Sequence, residues 1–224
     1  MNIRVVIAMG SNLGDRLDYL QGGLDGLFDT PRLAFVAVSP VYETTPVGGP
    51  EQPDYLNAVA IGATTLPARA VLERCHSLED AFGRVRGERW GPRTLDLDLI
   101  VYGDEVSESP GLTLPHPRAH ERAFVLAPWL DADPDAELPG RGKVADLLKE
   151  LGTTGITRLD GTHLFINSDL IEFIEATPDT IITLTNQKKM VVRDTPDELM
   201  DRIRTYKRHL GAGPAAPPGR PAGG

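Results

Sequence analysis

With 224 residues, 41% of them hydrophobic, the chain is long enough for one ordinary domain and a smaller second unit. Its formal net charge of -9 lies entirely before Leu151, which excludes a general nucleic-acid binder, and no apolar run reaches bilayer-spanning length. The single cysteine, Cys75, excludes an internal disulfide, and Met1-Asn2-Ile3-Arg4 runs straight into an apolar stretch, so we expect no signal peptide and a cytoplasmic location.

In chain order, Ile3 to Met9 reads as a strand ending in the turn Gly10-Ser11-Asn12-Leu13-Gly14-Asp15, which lacks the Gly-Lys-Ser/Thr of a P-loop. Leu17, Leu20, Leu24 and Leu27 recur at helical spacing, although Gly22, Gly23 and Gly26 weaken that helix. Leu33 to Tyr42 reads as a second strand, and Glu43 to Pro50 is too rich in Gly and Pro for regular structure. Pro53 to Ile61 is a third strand with Tyr55 and Asn57 on one face. That pair fits either a core hydrogen bond or one wall of a pocket for a flat, polar-edged ring. Pro67 opens a helix whose stripe is Val71, Leu72, Cys75, Leu78 and Phe82; Cys75 is expected as a core filler, and Glu79 lies near the helix end.

The stretch from Arg89 to Ile100, RWGPRTLDLDLI, carries the chemistry. Period-two alternation sends Leu95, Leu97 and Leu99 one way and Asp96 and Asp98 the other. Two carboxylates roughly 7 Å apart on one strand face are costly unless a cation neutralises them, and a hard divalent ion such as Mg²⁺ suits them. Arg84, Arg86, Arg89 and Arg93 crowd the segment just before. Metal-binding carboxylates beside arginines point to a polyanion between them, most simply a nucleoside triphosphate. A surface strand with two solvated aspartates is the competing reading. Further on, His116 sits between two prolines, either as a surface histidine or as a phosphate contact. Arg122 to Leu130 starts a helix, Asp131 to Gly142 reads as a loop, and Lys143 to Leu151 as a short helix.

The second segment differs in character. Ile156 to Ile166 reads as a hairpin around Asp160-Gly161, followed by strands at Leu170 to Glu175, Thr180 to Leu184 and Met190 to Val192. Thr195-Pro196-Asp197-Glu198 is a capping box for a helix with Leu199, Ile203, Tyr206 and Leu210 on its apolar side. No metal-ligand spacing or nucleophile-base pair is present here, and the Gly/Pro/Ala tail is expected to be disordered.

The run Arg89-Trp90-Gly91-Pro92-Arg93-Thr94-Leu95-Asp96-Leu97-Asp98 resembles the signature of 6-hydroxymethyl-7,8-dihydropterin pyrophosphokinases, and the likeness extends from Ile3 to about Leu151. It implies an α+β fold: a ferredoxin-like antiparallel sheet with helices on one face. It also implies transfer of pyrophosphate from ATP to a reduced pterin in folate biosynthesis. By resemblance, Arg84, Arg93, Asp96 and Asp98 are the catalytic set, with Asp96 and Asp98 holding two Mg²⁺ ions. Glu79, Arg84, Arg86, Arg89, Arg93, His116 and Arg122 would meet ATP. Asn12, Thr44, Val47, Tyr55, Asn57, Trp90 and Phe124 would line the pterin site.

The segment from Ile156 to Leu210 resembles FlbD-type flagellar motility proteins, which implies a small β-rich module ending in a helix and a protein partner for it. The expected domains are therefore 1–155, 156–210 and a tail, 211–224, with the first expected to work alone. Three readings stay open beside the enzyme: a non-catalytic nucleotide-binding regulator, a motility adaptor, and a Mg²⁺-dependent nucleotidyl transferase.

Overall fold

The computed structural model describes residues 2–44, 52–83, 91–161, 163–168, 171–176, 178–185 and 187–211. Strand β1 (Ile3–Ser11) leads into helix α1 (Arg16–Phe28), β2 (Leu33–Val38) and β3 (Tyr42–Thr44). The expected single strand from Leu33 to Tyr42 is broken in two. Pro40 has no amide hydrogen for a ladder, and Ser39 closes β2 against Val59. The Ser39 amide donates to the Val59 carbonyl at 3.0 Å, and the Ser39 hydroxyl accepts from the Val59 amide at 2.9 Å.

Next come β4 (Tyr55–Thr64), α2 (Ala68–Ala81) and β5 (Asp96–Tyr102). β1 lies antiparallel between β4 and β5, while β2 and β3 share the far edge of β4. This is the expected ferredoxin-like order, with its second strand in two pieces.

β1 is apolar on both faces, and both are covered. Val5, Ile7 and Met9 pack with α1 and α2 around Leu20, Leu27, Val71, Cys75 and Leu97. The three α1 glycines permit this approach: a β-carbon on Gly26 would stand 2.5 Å from Leu78 Cδ2, and one on Gly22 2.6 Å from Phe82 Cζ. Helices on one face therefore describes α1 and α2. On the other face Val6, Val59, Ile61 and Ile100 are also buried, and such a sheet needs a second cover. The hairpin of β6 (Ser107–Ser109) and β7 (Leu112–Leu114) leads into α3 (Ala123–Ala132), which supplies Val125, Leu126 and Trp129 to that layer. A short ladder, β8 (Glu137–Leu138) with β9 (Gly142–Lys143), lies within the expected loop, and α4 (Val144–Glu150) closes the layer through Val144.

The C-terminal segment does not stand apart. β10 (Thr153–Thr157) and β11 (His163–Asn167) form the expected hairpin, and β11 lies parallel beside β3. The main sheet thus runs β10-β11-β3-β4-β1-β5. The 155/156 boundary falls inside β10. β12 (Ile171–Ala176), β13 (Thr180–Leu184) and β14 (Lys189–Val192) make a separate antiparallel sheet, followed by α5 (Pro196–Gly211). Ile156, Leu164, Ile182, Met190, Val192 and Leu199 form their common core. The capping box is present: the Thr195 amide donates to Glu198 Oε2 at 2.8 Å, and the Glu198 amide to Thr195 Oγ1 at 3.3 Å. The side chains of Tyr206 and Leu210, and all of 212–224, lie outside the described residues.

Candidate active site

β5 presents the two aspartates as its alternation requires. Leu95, Leu97 and Leu99 are buried beneath α1 and α2, while Asp96 and Asp98 stand opposite Gly10 and Ala8 of β1. Each carboxylate has an arginine partner. Arg93 pairs with Asp96, and Arg122 Nη1 lies 3.0 Å from Asp98 Oδ2. Burial works against the Arg93 charge, but Asp96, by its charge and hydrogen bond, together with Tyr55 and Asp98 raises the guanidinium's pKa on balance, so Arg93 stays a cation.

His116 is placed by its amide, which donates to the Ile100 carbonyl at 2.9 Å, and Nε2 stands 3.8 Å from Asp98 Oδ2. Its Nδ1 accepts from the Arg118 amide at 3.2 Å, which leaves the proton of the neutral ring on Nε2. Burial lowers its pKa, Asp98 opposes that and Arg122 reinforces it; near neutral pH the ring is uncharged.

The adjoining wall comes from β3 and β4. Asn57 Nδ2 donates to Thr44 Oγ1 at 2.7 Å, so the amide is held with both residues buried. Gly10 lies between this wall and Asp96: a β-carbon there would stand 3.2 Å from Asn57 Oδ1, 3.7 Å from the Tyr55 ring and 3.9 Å from Asp96 Cβ. Burial raises the Tyr55 pKa, with Arg93 opposing and Asp96 adding to the rise, so the phenol is a neutral donor. Phe124 borders the same region from α3, with the Arg122 guanidinium 5.5 Å from its ring centroid.

Two of the expected contacts, Asn12 and Glu79, are engaged in internal hydrogen bonds. Asn12 is 1% exposed and acts as a staple. Its amide nitrogen donates to Gln52 Oε1 at 3.0 Å and to the Pro53 carbonyl at 3.1 Å, while its oxygen accepts from the Arg93 amide at 2.7 Å. It joins the segment before β4 to the segment before β5. Glu79, also 1% exposed, reaches β5 from α2, and its Oε1 accepts from the Leu97 amide at 2.8 Å, midway between the two aspartates. Val47, Arg84, Arg86, Arg89 and Trp90 lie outside the described residues. Sequence reasoning placed Gly10 in the turn but gave it no role of its own; its closeness to Asn57 and Asp96 emerges from the pairing of β1 with β4 and β5.

Among the described residues no group of three or more His, Cys, Asp or Glu side chains is placed to hold a metal ion. Two oxygen-donor carboxylates on one face nevertheless fit Mg²⁺, which takes few protein ligands and fills its octahedron with water and phosphate oxygens.

The sequence model of the 7,8-dihydro-6-hydroxymethylpterin-pyrophosphokinase family matches residues 6–134, more than half of the chain. The chain belongs to that pyrophosphokinase family. A 2-amino-4-hydroxy-6-hydroxymethyldihydropteridine pyrophosphokinase of Mycobacterium leprae is 48% identical over 172 residues, covering 72% of this chain and 88% of the relative. The enzyme of the same name from Pseudomonas aeruginosa is 41% identical over 158 residues, 70% of this chain and 98% of its own. Among solved structures, an HPPK-DHPS in complex with substrates superposes with a TM-score of 0.54 at 9% identity, over 74% of this chain and 49% of that one. A Plasmodium falciparum HPPK-DHPS with pterin and p-hydroxybenzoate gives 0.54 at 10% identity over the same shares, 74% and 49%. At that identity these two carry the pyrophosphokinase fold alone, and the chain spans about half their length. Residues 155–211 match the model of the FlbD family of flagellar and swarming motility proteins. Among the described residues no helix is long and apolar enough to cross a membrane.

Proposed function

We propose that this chain transfers a diphosphoryl group from ATP to 6-hydroxymethyl-7,8-dihydropterin, giving the pterin diphosphate and AMP in folate biosynthesis. The observation that carries this reading is the pairing of Asp96 with Arg93 and Asp98 with Arg122 on one strand face, directly beside the wall of Gly10, Thr44, Tyr55 and Asn57.

The pterin hydroxyl oxygen attacks the β-phosphorus in line, the bond from that phosphorus to the oxygen bridging it to the α-phosphorus breaks, and AMP leaves with that oxygen. Asp96 and Asp98 would hold Mg²⁺, two ions in our reading, whose charge would offset that of the triphosphate. Arg93 and Arg122, beside the two carboxylates, meet the phosphates and offset the charge that builds on the bridging oxygen. His116 offers its Nε2–H to the same oxygens. Tyr55 and Phe124 flank the pterin ring, and Asn57, fixed by Thr44, reads its polar edge. By family resemblance alone, Arg84, Arg86 and Arg89 serve ATP, and Val47 and Trp90 the pterin. Asn12 and Glu79 act by holding these segments rather than by touching ligand. The buried free thiol of Cys75, pushed up to about 12 by burial and by Glu79, takes no part and suits a reducing cytoplasm. We read the C-terminal sheet and α5, which lie within the FlbD match, as the part that meets a protein partner.

Incubating the chain with ATP, Mg²⁺ and hydroxymethyldihydropterin and separating the nucleotides tests the reading. AMP formed in step with pterin diphosphate supports it. Free pyrophosphate would mark a nucleotidyl transferase, and ATP bound without turnover a regulator.

A further inference from the structure

β3 is three residues long, yet it carries Thr44, which fixes Asn57. A strand that short is marginal by itself, and its other attachments decide where it lies. Tyr42 donates from its hydroxyl to Asp131 of α3. Glu43, its side chain only 13% exposed, is clamped between two guanidiniums. One is Arg16 at the start of α1, with Nη2 3.0 Å from Glu43 Oε1 and Nη1 donating to the Asp54 carbonyl at 2.6 Å. The other is Arg158, which belongs to the FlbD-like segment. That segment holds β3 by two further contacts: the parallel pairing of His163 with Tyr42 and Leu164 with Glu43, and the His163 ring against the Tyr42 ring at 5.4 Å.

The clamp has a rigid base in the C-terminal module. The Thr157 amide donates to Asp194 Oδ2 at 2.5 Å, the Arg193 amide donates to the Thr157 carbonyl at 2.7 Å, and Arg202 pairs with Asp194 at 2.8 Å. Arg158 itself bridges to Val192 of β14. A continuous line of contacts therefore runs from β14 through Arg158 and Glu43 to Thr44 and Asn57.

We infer that the FlbD-like segment is a positioning element of the pterin pocket, with Arg158 acting through Glu43 and β11 through β3 to set Thr44 and Asn57. The inference rests on the pterin reading of that wall. A partly buried carboxylate that loses one of two guanidiniums is left short of charge, and the strand that carries it shifts toward water. On the ATP side, Arg93 pairs with Asp96, and Arg122 and His116 stand by Asp98, while α3 reaches the clamp through Asp131 and Tyr42.

The test uses the full chain carrying Arg158→Ala or Arg158→Lys. Arg158→Ala raises the KM for the pterin about tenfold while kcat and the KM for ATP stay within about twofold, and Arg158→Lys recovers most of the loss. Amide exchange over residues 42–44 quickens in Arg158→Ala without any ligand, a readout independent of catalysis. Unchanged exchange there overturns the inference whatever the kinetics, and so does an equal rise of both KM values. If wild type forms no AMP, the activity reading fails and the exchange measurement alone decides this one.

Discussion

Gly10 and the two aspartates show how narrow the margins are at the scale of single residues. Gly10→Ala puts a methyl 3.2 Å from Asn57 Oδ1. Because Thr44 already fixes that amide, the wall must give, and the expected result is a severalfold rise in pterin KM with kcat nearly unchanged. Equal losses in kcat and kcat/KM would instead place Gly10 at the phosphates. Asp96→Ala and Asp98→Ala should abolish Mg²⁺-dependent AMP release, since each removes half of the metal's protein ligands. Both should remain folded by circular dichroism, because the pairs they break are partly solvated and contribute about 1 kcal/mol or less. Activity within about threefold of wild type in both variants, less than the tenfold that about 1.4 kcal/mol would remove, contradicts the metal assignment. Alternation put both aspartates on one strand face, where they lie, but left a solvated surface strand open as a reading. The turn that opens at Gly10 was legible too, but not how close Gly10 lies to Asn57, because strand pairing sets which atoms stand across the sheet from it.

Elements explain why the site stays in register. β5 is an edge strand of the sheet, and Glu79 accepts from its Leu97 amide, so a carboxylate from α2 takes the place of a further strand. Glu79→Ala leaves that amide unpaired in a dry setting, a cost of about 1–3 kcal/mol. It should lower both the melting temperature and Mg²⁺ affinity, while Glu79→Gln, which keeps an acceptor, should lower both less. The helical spacing placed Glu79 on α2, but only the packing of that helix against β5 reveals its partner. α5 offers the converse, a device fully readable in sequence. The Thr195 amide, and then its hydroxyl, hold the Glu198 carboxyl below its ordinary 4.5. A lowered native value means that the ionised box stabilises the helix above about that pH. The contribution fades as pH falls through the lowered value. Far-UV circular dichroism of wild type should therefore lose α5 signal on acidification over that range, and Glu198→Gln should flatten the change.

At the scale of the whole molecule, charge and motif content suggested two separable units. The first ends near Leu151, every chemical motif precedes that point, and the later segment has its own hairpin, capping box and apolar stripe. Pattern of this kind reports what each segment can form internally. It carries no information on which strand edge a hairpin will join, and here β11 joins β3. The fragment Met1–Gly161 makes the consequence measurable. It keeps β1, β4, β5, α2 and α3 but lacks β11, and β10 loses its partner. Its ATP side should be intact, with AMP still formed at saturating pterin and the KM for ATP near that of the full chain. Its pterin KM should rise at least as far as in Arg158→Ala, because the clamp and the strand pairing are both disturbed at once. The fragment from Thr153 onward should show no ATP-dependent chemistry, since it holds none of Arg93, Asp96, Asp98, His116 or Arg122. A folded first fragment with the full chain's pterin KM means that β3 holds its place without β11 and without the β14 base behind Arg158, and that the module from His163 onward is a passenger on the enzyme.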